Sequence, residues 1–140
     1  MNENCLILIK PDGISRGLVP TIRNRILAAG LTILQEKYIT ATEDQCRKHY
    51  QVKMRNYGAS EDQTVKYLSR SYVKEGSVLV MLVSGKQAIA KALKIKTDMR
   101  KNFALDTLEK CTAEGRSLYN ILHSSENEDD AKKEAIIWLS

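Results

Sequence analysis

A chain of 140 residues, 43% hydrophobic and 28% charged, has the size and composition of one globular domain. Its net charge of +5 favours polyanionic partners, a preference that nucleic acid and nucleotide phosphates satisfy equally. No apolar run approaches the roughly 20 residues of a membrane span, the opening Met1-Asn2-Glu3-Asn4 carries no basic, apolar leader, and Cys5, Cys46 and Cys111 fit neither a zinc nor a C-x-x-C spacing and read as cytoplasmic thiols.

Residues 4–10, N-C-L-I-L-I-K, form a short continuous apolar run ending in Lys10 and the turn signal Pro11-Asp12-Gly13. Such a run reads as a central strand buried on both faces, with a lysine where it leaves the core. That lysine either meets a ligand or snorkels to solvent. After Gly17 the spacing of Leu18, Ile22, Ile26 and Leu27 predicts a helix of about a dozen residues, with Pro20 in its first turn and Gly30 at its end. Residues 31–40 partly alternate and predict a second strand. Thr42 with Gln45 makes a capping box for a helix through about Tyr50, and Ser60 with Gln63 repeats it for a helix through about Tyr72.

The run S-V-L-V-M-L-V at 77–83 is the clearest buried strand, and Gly85 leads into a helical segment expected to end near Lys94. Leu118, Tyr119, Ile121 and Leu122 suggest a strand that ends at His123, and Asn127 caps a last helix reaching about Trp138. The order gives an α+β fold: a ferredoxin-like βαββαβ antiparallel sheet with helices packed on one face, a single domain over 1–140.

Glycine-loop motifs for phosphate, metal-ligand clusters and a G-x-S-x-G elbow are all missing from the sequence. What remains is His123, flanked by Ser124 and Ser125 and followed by carboxylates, together with Lys10, Lys91 and Arg100 and the tyrosines Tyr50 and Tyr57. A carboxylate that holds one imidazole nitrogen as N–H leaves the other as a nucleophile. The plainer reading is a histidine packed at a strand end. The cations between Lys86 and Lys101 are likewise either a solvated helix face or a phosphate-binding wall. Phosphoryl transfer needs mainly positioning and charge neutralisation, which such a set can supply.

The segment L-I-L-I-K-P-D-G-I-S-R-G-L-V at 6–19 resembles the first strand and helix entry of nucleoside diphosphate kinases. The segment N-I-L-H-S-S-E-N-E-D-D-A-K-K-E-A-I-I-W at 120–138 resembles their active-site histidine segment. The resemblance implies ping-pong transfer of a γ-phosphate from a nucleoside triphosphate to a diphosphate, with His123 as the phosphorylated intermediate through Nδ1. It matches Glu134 and Ser125 to residues that orient the ring and contact the transferring phosphate. Lys10, Asn120 and Arg100 match nucleotide contacts, Tyr50 and Thr97 match groups at the phosphates, and Tyr57 is taken for the base. Mg2+ is implied as arriving on the nucleotide, held by phosphate oxygens and water rather than by protein side chains.

The implied partners are nucleoside di- and triphosphates, within a cytoplasmic homo-oligomer built from dimers. The departures from the family pattern are Lys91 for an arginine, Ser124 for a glycine, and only Asp98 and Met99 between Thr97 and Arg100, where the family has a long loop that takes part in subunit packing. Additions fall around 59–75 and 106–116. These departures motivate the alternative of a catalytically impaired nucleotide-binding or protein-interaction module on the same fold. An RNA-binding reading fits poorly, because strands 4–10 and 77–83 carry no aromatic side chain.

Overall fold

The computed structural model describes residues 2–53, 72, 76–114 and 119–140. The elements run β1 (Asn2–Ile9), α1 (Pro11–Ser15), α2 (Val19–Ala28), β2 (Thr32–Ile39), α3 (Glu43–Lys53), β3 (Val78–Lys86), α4 (Ala88–Phe103), α5 (Leu108–Glu114), β4 (Leu122–Ser124) and α6 (Glu128–Leu139). The second capping box, at Ser60 and Gln63, and Tyr57 lie outside the described residues.

The four strands among the described residues form one antiparallel sheet in the order β2-β3-β1-β4, which is the ferredoxin-like arrangement. The two central strands are the two continuous apolar runs of the sequence. From Cys5 to Ile9 every residue of β1 is buried, and so are Val78 to Met81 of β3. Side chains alternate across a strand, so a run without polar interruption needs cover on both sides. It has that cover. Ile7, Ile9, Met81 and Val83 pack with Ile22 and Ile26 of α2 and with Ile95 and Met99 of α4. Leu6, Leu8, Val78 and Val80 pack on the other face with Cys46 of α3 and Trp138 of α6. The expectation of helices on one face is therefore corrected: they cover both.

Local chemistry fixes the helix ends. The box at Thr42 is formed in both directions: Gln45 N–H donates to Thr42 Oγ1 at 3.1 Å, and Thr42 N–H donates to Gln45 Oε1 at 2.9 Å. Gly30, at φ +80°, ends α2 as Leu31 N–H donates to the Ile26 carbonyl, a turn that favours a residue without Cβ. Asn127 caps α6 by accepting from Asp130 N–H at 2.7 Å.

Two boundaries differ from the sequence reading in ways that shape the site. Helix α4 does not stop near Lys94 but continues to Phe103, so Thr97 and Arg100 sit within one turn of a helix. In the other case β4 is only three residues long, and His123 is its middle residue rather than the end of a longer strand. The strand cannot begin earlier, because Ile121 has φ +79°.

Candidate functional site

His123 pairs with Leu8 across β1 and β4, so its ring lies on the Leu8 side of the sheet, toward α3 and α6. Helical spacing on α6 brings Asp130, Glu134 and Trp138 to that same side. Glu134 Oε1 lies 2.6 Å from His123 Nε2, and both side chains are 1% exposed. A carboxylate only accepts, so this contact assigns the proton to Nε2 and the lone pair to Nδ1.

Ser125 is part of the same arrangement. Its hydroxyl accepts from Leu6 N–H at 3.1 Å and lies 3.3 Å from both the Leu6 carbonyl and Glu134 Oε1. It therefore ties the carboxylate to the central strand. Ser124, by alternation, faces away from His123 toward the α4 side, where its buried hydroxyl has no hydrogen-bond partner among the described residues.

The approach to β4 is a strained turn held from several directions. Leu122 N–H donates to the Asn120 carbonyl at 2.9 Å, closing a γ-turn whose central residue is Ile121. A β-branched residue at positive φ persists only where its surroundings over-determine it. Here Lys10 N–H donates to the Ile121 carbonyl at 2.8 Å, and Asp12 Oδ2 accepts from Ile121 N–H at 3.0 Å. Gly13 lets α1 come close enough for both, since a Cβ there would lie 2.9 Å from the Ile121 carbonyl oxygen.

The turn also gathers the cations. Lys10 Nζ donates to Asn120 Oδ1 at 2.6 Å. Arg100 donates through Nε to the Asn120 carbonyl at 3.2 Å and through a terminal nitrogen to the Leu122 carbonyl at 2.8 Å. Burial lowers the Arg100 pKa, with Tyr72 and Asp12 opposing, and it raises that of Asp12 against the pull of Lys10.

The sequence-predicted residues Lys10, Arg100, Asn120, His123, Ser125 and Glu134 are thus gathered around one strand end. Lys91 is not among them. Nine residues of helix, at about 100° and 1.5 Å each, set it on the opposite side of α4 from Arg100 and roughly 13 Å along the axis. Lys96, one turn before Arg100, is the buried cation of that helix. Thr97 is exposed on α4. Tyr50 lies on α3, with its side chain outside the described part of the structure.

Asp12, His49 and Tyr72 also border the site, although none of them is among the sequence-predicted residues. The His49 ring meets His123 edge-on, with centroids 4.6 Å apart and planes at 85°. Trp138 Nε1–H donates to His49 Nδ1 at 3.2 Å, which makes Nδ1 the acceptor and assigns the His49 proton to Nε2. The one available signal was that His49 follows the buried Cys46 by three positions on a capped helix. His49, His123 and Glu134 bring one nitrogen or oxygen each to within 4.8 Å of one another. Two of the three are nitrogens, and the Glu134 oxygen is already engaged with His123, so the set does not suit Mg2+, which takes oxygen ligands.

The addition near 106–116 contributes α5. Asp106 Oδ2 accepts from Tyr119 N–H at 2.8 Å, next to Asn120. With Asp12, Arg16 and Lys110 it lines a small cleft away from His123.

The family model described as nucleoside diphosphate kinase matches residues 3–140. A nucleoside diphosphate kinase of Borreliella burgdorferi is 30% identical over 98% of this chain and 87% of its own length. One of Pyrobaculum aerophilum is 25% identical over 98% and 94%. Among solved structures, a transition-state mimic of the Borrelia burgdorferi enzyme with bound vanadate and ADP superposes with a TM-score of 0.78 at 23% identity, covering 99% of this chain and 88% of that one. The Pyrobaculum aerophilum NDP kinase gives 0.77 at 22%, covering 99% and 96%. At those identities the two structures speak for the fold alone.

Proposed function

The chain belongs to the nucleoside diphosphate kinase family of nucleotide phosphotransferases, and from that premise we propose that it moves the γ-phosphate of a nucleoside triphosphate to a nucleoside diphosphate through a phosphohistidine at His123. The observation that carries this reading is the 2.6 Å contact between His123 Nε2 and Glu134. In the first half-reaction the Nδ1 lone pair attacks the γ-phosphorus, a P–N bond forms, and the P–O bond to the departing diphosphate breaks. The ring gains positive character as it attacks, and the Glu134 carboxylate stabilises that charge. In the second half-reaction a terminal oxygen of the acceptor diphosphate takes the phosphoryl group and releases Nδ1.

Lys10 and Arg100 neutralise charge on the phosphate oxygens, and Asn120 orients the Lys10 ammonium. Ser125 steadies Glu134, with its hydroxyl also available to the phosphate. Tyr50 and Thr97 serve the phosphates and Tyr57 the base by resemblance to the family. Lys91 is left out because its side of α4 is turned from Arg100. Mg2+ would be held by phosphate oxygens and water and would supply charge neutralisation; the nitrogen-rich group around His123 supports leaving it to the nucleotide. We assign the protein to the cytoplasm, with Cys5, Cys46 and Cys111 as free thiols. No helix among the described residues is long and apolar enough to cross a membrane.

The test is to incubate the protein with Mg2+ and γ-labelled ATP. The expected result is an acid-labile, alkali-stable label that chases onto a diphosphate acceptor and is lost in His123→Gln. An unlabelled wild type under conditions where it binds nucleotide overturns the reading.

A further inference from the structure

We propose that Tyr72 is an additional nucleotide-binding residue, its phenolic hydroxyl donating a hydrogen bond to a phosphate oxygen of the nucleotide held over His123. The inference deepens the nucleotide-phosphotransfer reading and rests on it.

Tyr72 is 2% exposed, although it belongs to an added stretch of the chain with no counterpart in the two motifs of the sequence. Its ring is fixed on three sides. It lies 6.0 Å from the Trp138 ring and 6.4 Å from that of His49, and the Lys10 ammonium stands 5.5 Å from its centroid. His49 in turn contacts His123, so a single aromatic contact separates Tyr72 from the histidine.

No described residue hydrogen-bonds the Tyr72 hydroxyl. Among the described residues the fully buried side-chain polar atoms without a hydrogen-bond partner are Ser124 Oγ and Asp130 Oδ1; the Tyr72 hydroxyl is not one of them, so it keeps some contact with solvent and is open to a ligand. After burial itself, the ionisable groups felt most strongly around it are Cys46, Arg100, Asp12 and Glu134, in that order. Asp12 and Glu134 are already engaged, with Ile121 N–H and with His123. Burial drives the phenol far above its ordinary pKa, so it remains a protonated donor throughout the working range of pH.

The Tyr72 ring lies against the ammonium of Lys10 and within the field of the Arg100 guanidinium, and the acceptors described around it, Asp12, Glu134 and Asn120 Oδ1, each already have a bond. An anion with several acceptor oxygens completes such a site, and a phosphate group is that anion. The arrangement also gives Lys10 a defined position: Asn120 accepts from its Nζ while the Tyr72 ring faces the same charge.

Tyr72→Phe removes the oxygen and keeps the ring, so packing against Trp138 and His49 survives. Equilibrium binding of ADP and of adenosine is measured on the full chain, wild type and Tyr72→Phe, alongside thermal unfolding. The proposal expects ADP affinity to fall about tenfold, the scale of a hydrogen bond to a charged group, with adenosine affinity and Tm unchanged. Equal ADP affinity in the two proteins overturns it, as does an equal loss for ADP and adenosine, which marks a structural role. Tighter ADP binding in Tyr72→Phe also overturns it, because the hydroxyl would then be filling the place of a phosphate. Binding requires no turnover. A wild type that fails to label but loses ADP affinity in Tyr72→Phe defeats only the phosphohistidine reading, while a labelled wild type with unchanged binding defeats only the Tyr72 assignment.

Discussion

An imidazole attacks from whichever nitrogen its neighbours leave as the base, and for His123 that choice is made by Glu134 at 2.6 Å. Glu134→Ala removes the acceptor for Nε2–H and, with it, a contact of Ser125. Turnover of γ-phosphate between nucleotides should fall by roughly 10–100-fold, the usual effect of deleting an orienting partner. Unchanged steady-state kinetics would separate Glu134 from the ring. Ser124 is a different matter. Among the described non-glycine residues only Gln87 and Ile121 have positive φ, so the backbone at Ser124 does not call for the glycine of the family pattern. Its side chain points away from His123, so the serine does not crowd the proposed nucleophile. The strained residue is Ile121, two positions before the histidine, held by Lys10 and Asp12. That residue, rather than Ser124, sets how the chain enters the site.

Helix α4 is the element where sequence and structure part most instructively. Its core positions Ala88, Ala92, Ile95 and Met99 follow helical spacing, and no glycine or proline interrupts them. The cations from Lys91 to Lys101 mask that pattern in the sequence, which on its own predicts an end near Lys94. The strands β1 and β3 and the capped start of α3 were legible, since each is specified by neighbouring residues. The contact between His49 and His123 and the burial of Tyr72 depend on which face each element turns inward, and local pattern does not contain that. Lys96 on α4 shows the cost of such placement. Its side chain is 8% exposed, and no ion pair or hydrogen bond holds its ammonium among the described residues. Burial and the nearby Arg100 lower its pKa from 10.5. A lysine with a lowered folded pKa costs stability at neutral pH, and the cost fades as pH rises through the interval between that lowered value and 10.5. Lys96→Met keeps the aliphatic stem and removes the charge, so urea unfolding at neutral pH should show a gain of about 1 kcal/mol. The gain should shrink as pH approaches the ordinary lysine value. A loss of stability at neutral pH would mean that the charge has a partner when the protein is folded.

At the scale of the whole molecule the sheet has two edges, and they are treated differently. Beside β4, Arg100 donates to the Leu122 carbonyl, and the strand is only three residues long. The opposite edge is β2, eight residues with most side chains exposed, including Leu34 at 55% and Tyr38 at 54%. Among the described residues no strand pairs with that edge, and an open edge of that length with apolar side chains is a template for pairing with another strand. In a homo-oligomer the simplest closed solution is a two-fold pairing of β2 with its own copy. The register against β3 shifts between Ile33 and Gln35, leaving Leu34 as a bulge between a short paired stretch at Thr32 and Ile33 and the longer half of β2 from Gln35 to Ile39. Tyr38 lies in that half and Leu34 at its boundary. Replacing both with lysine puts like charges opposite one another across a two-fold axis while leaving the core faces of β1 and β3 untouched. Sedimentation of the wild type should give at least twice the 15.8 kDa chain mass, and the double variant should fall to 15.8 kDa while still unfolding cooperatively. A wild type that sediments as a single chain, or a double variant that keeps its mass, would rule out β2 as the contact.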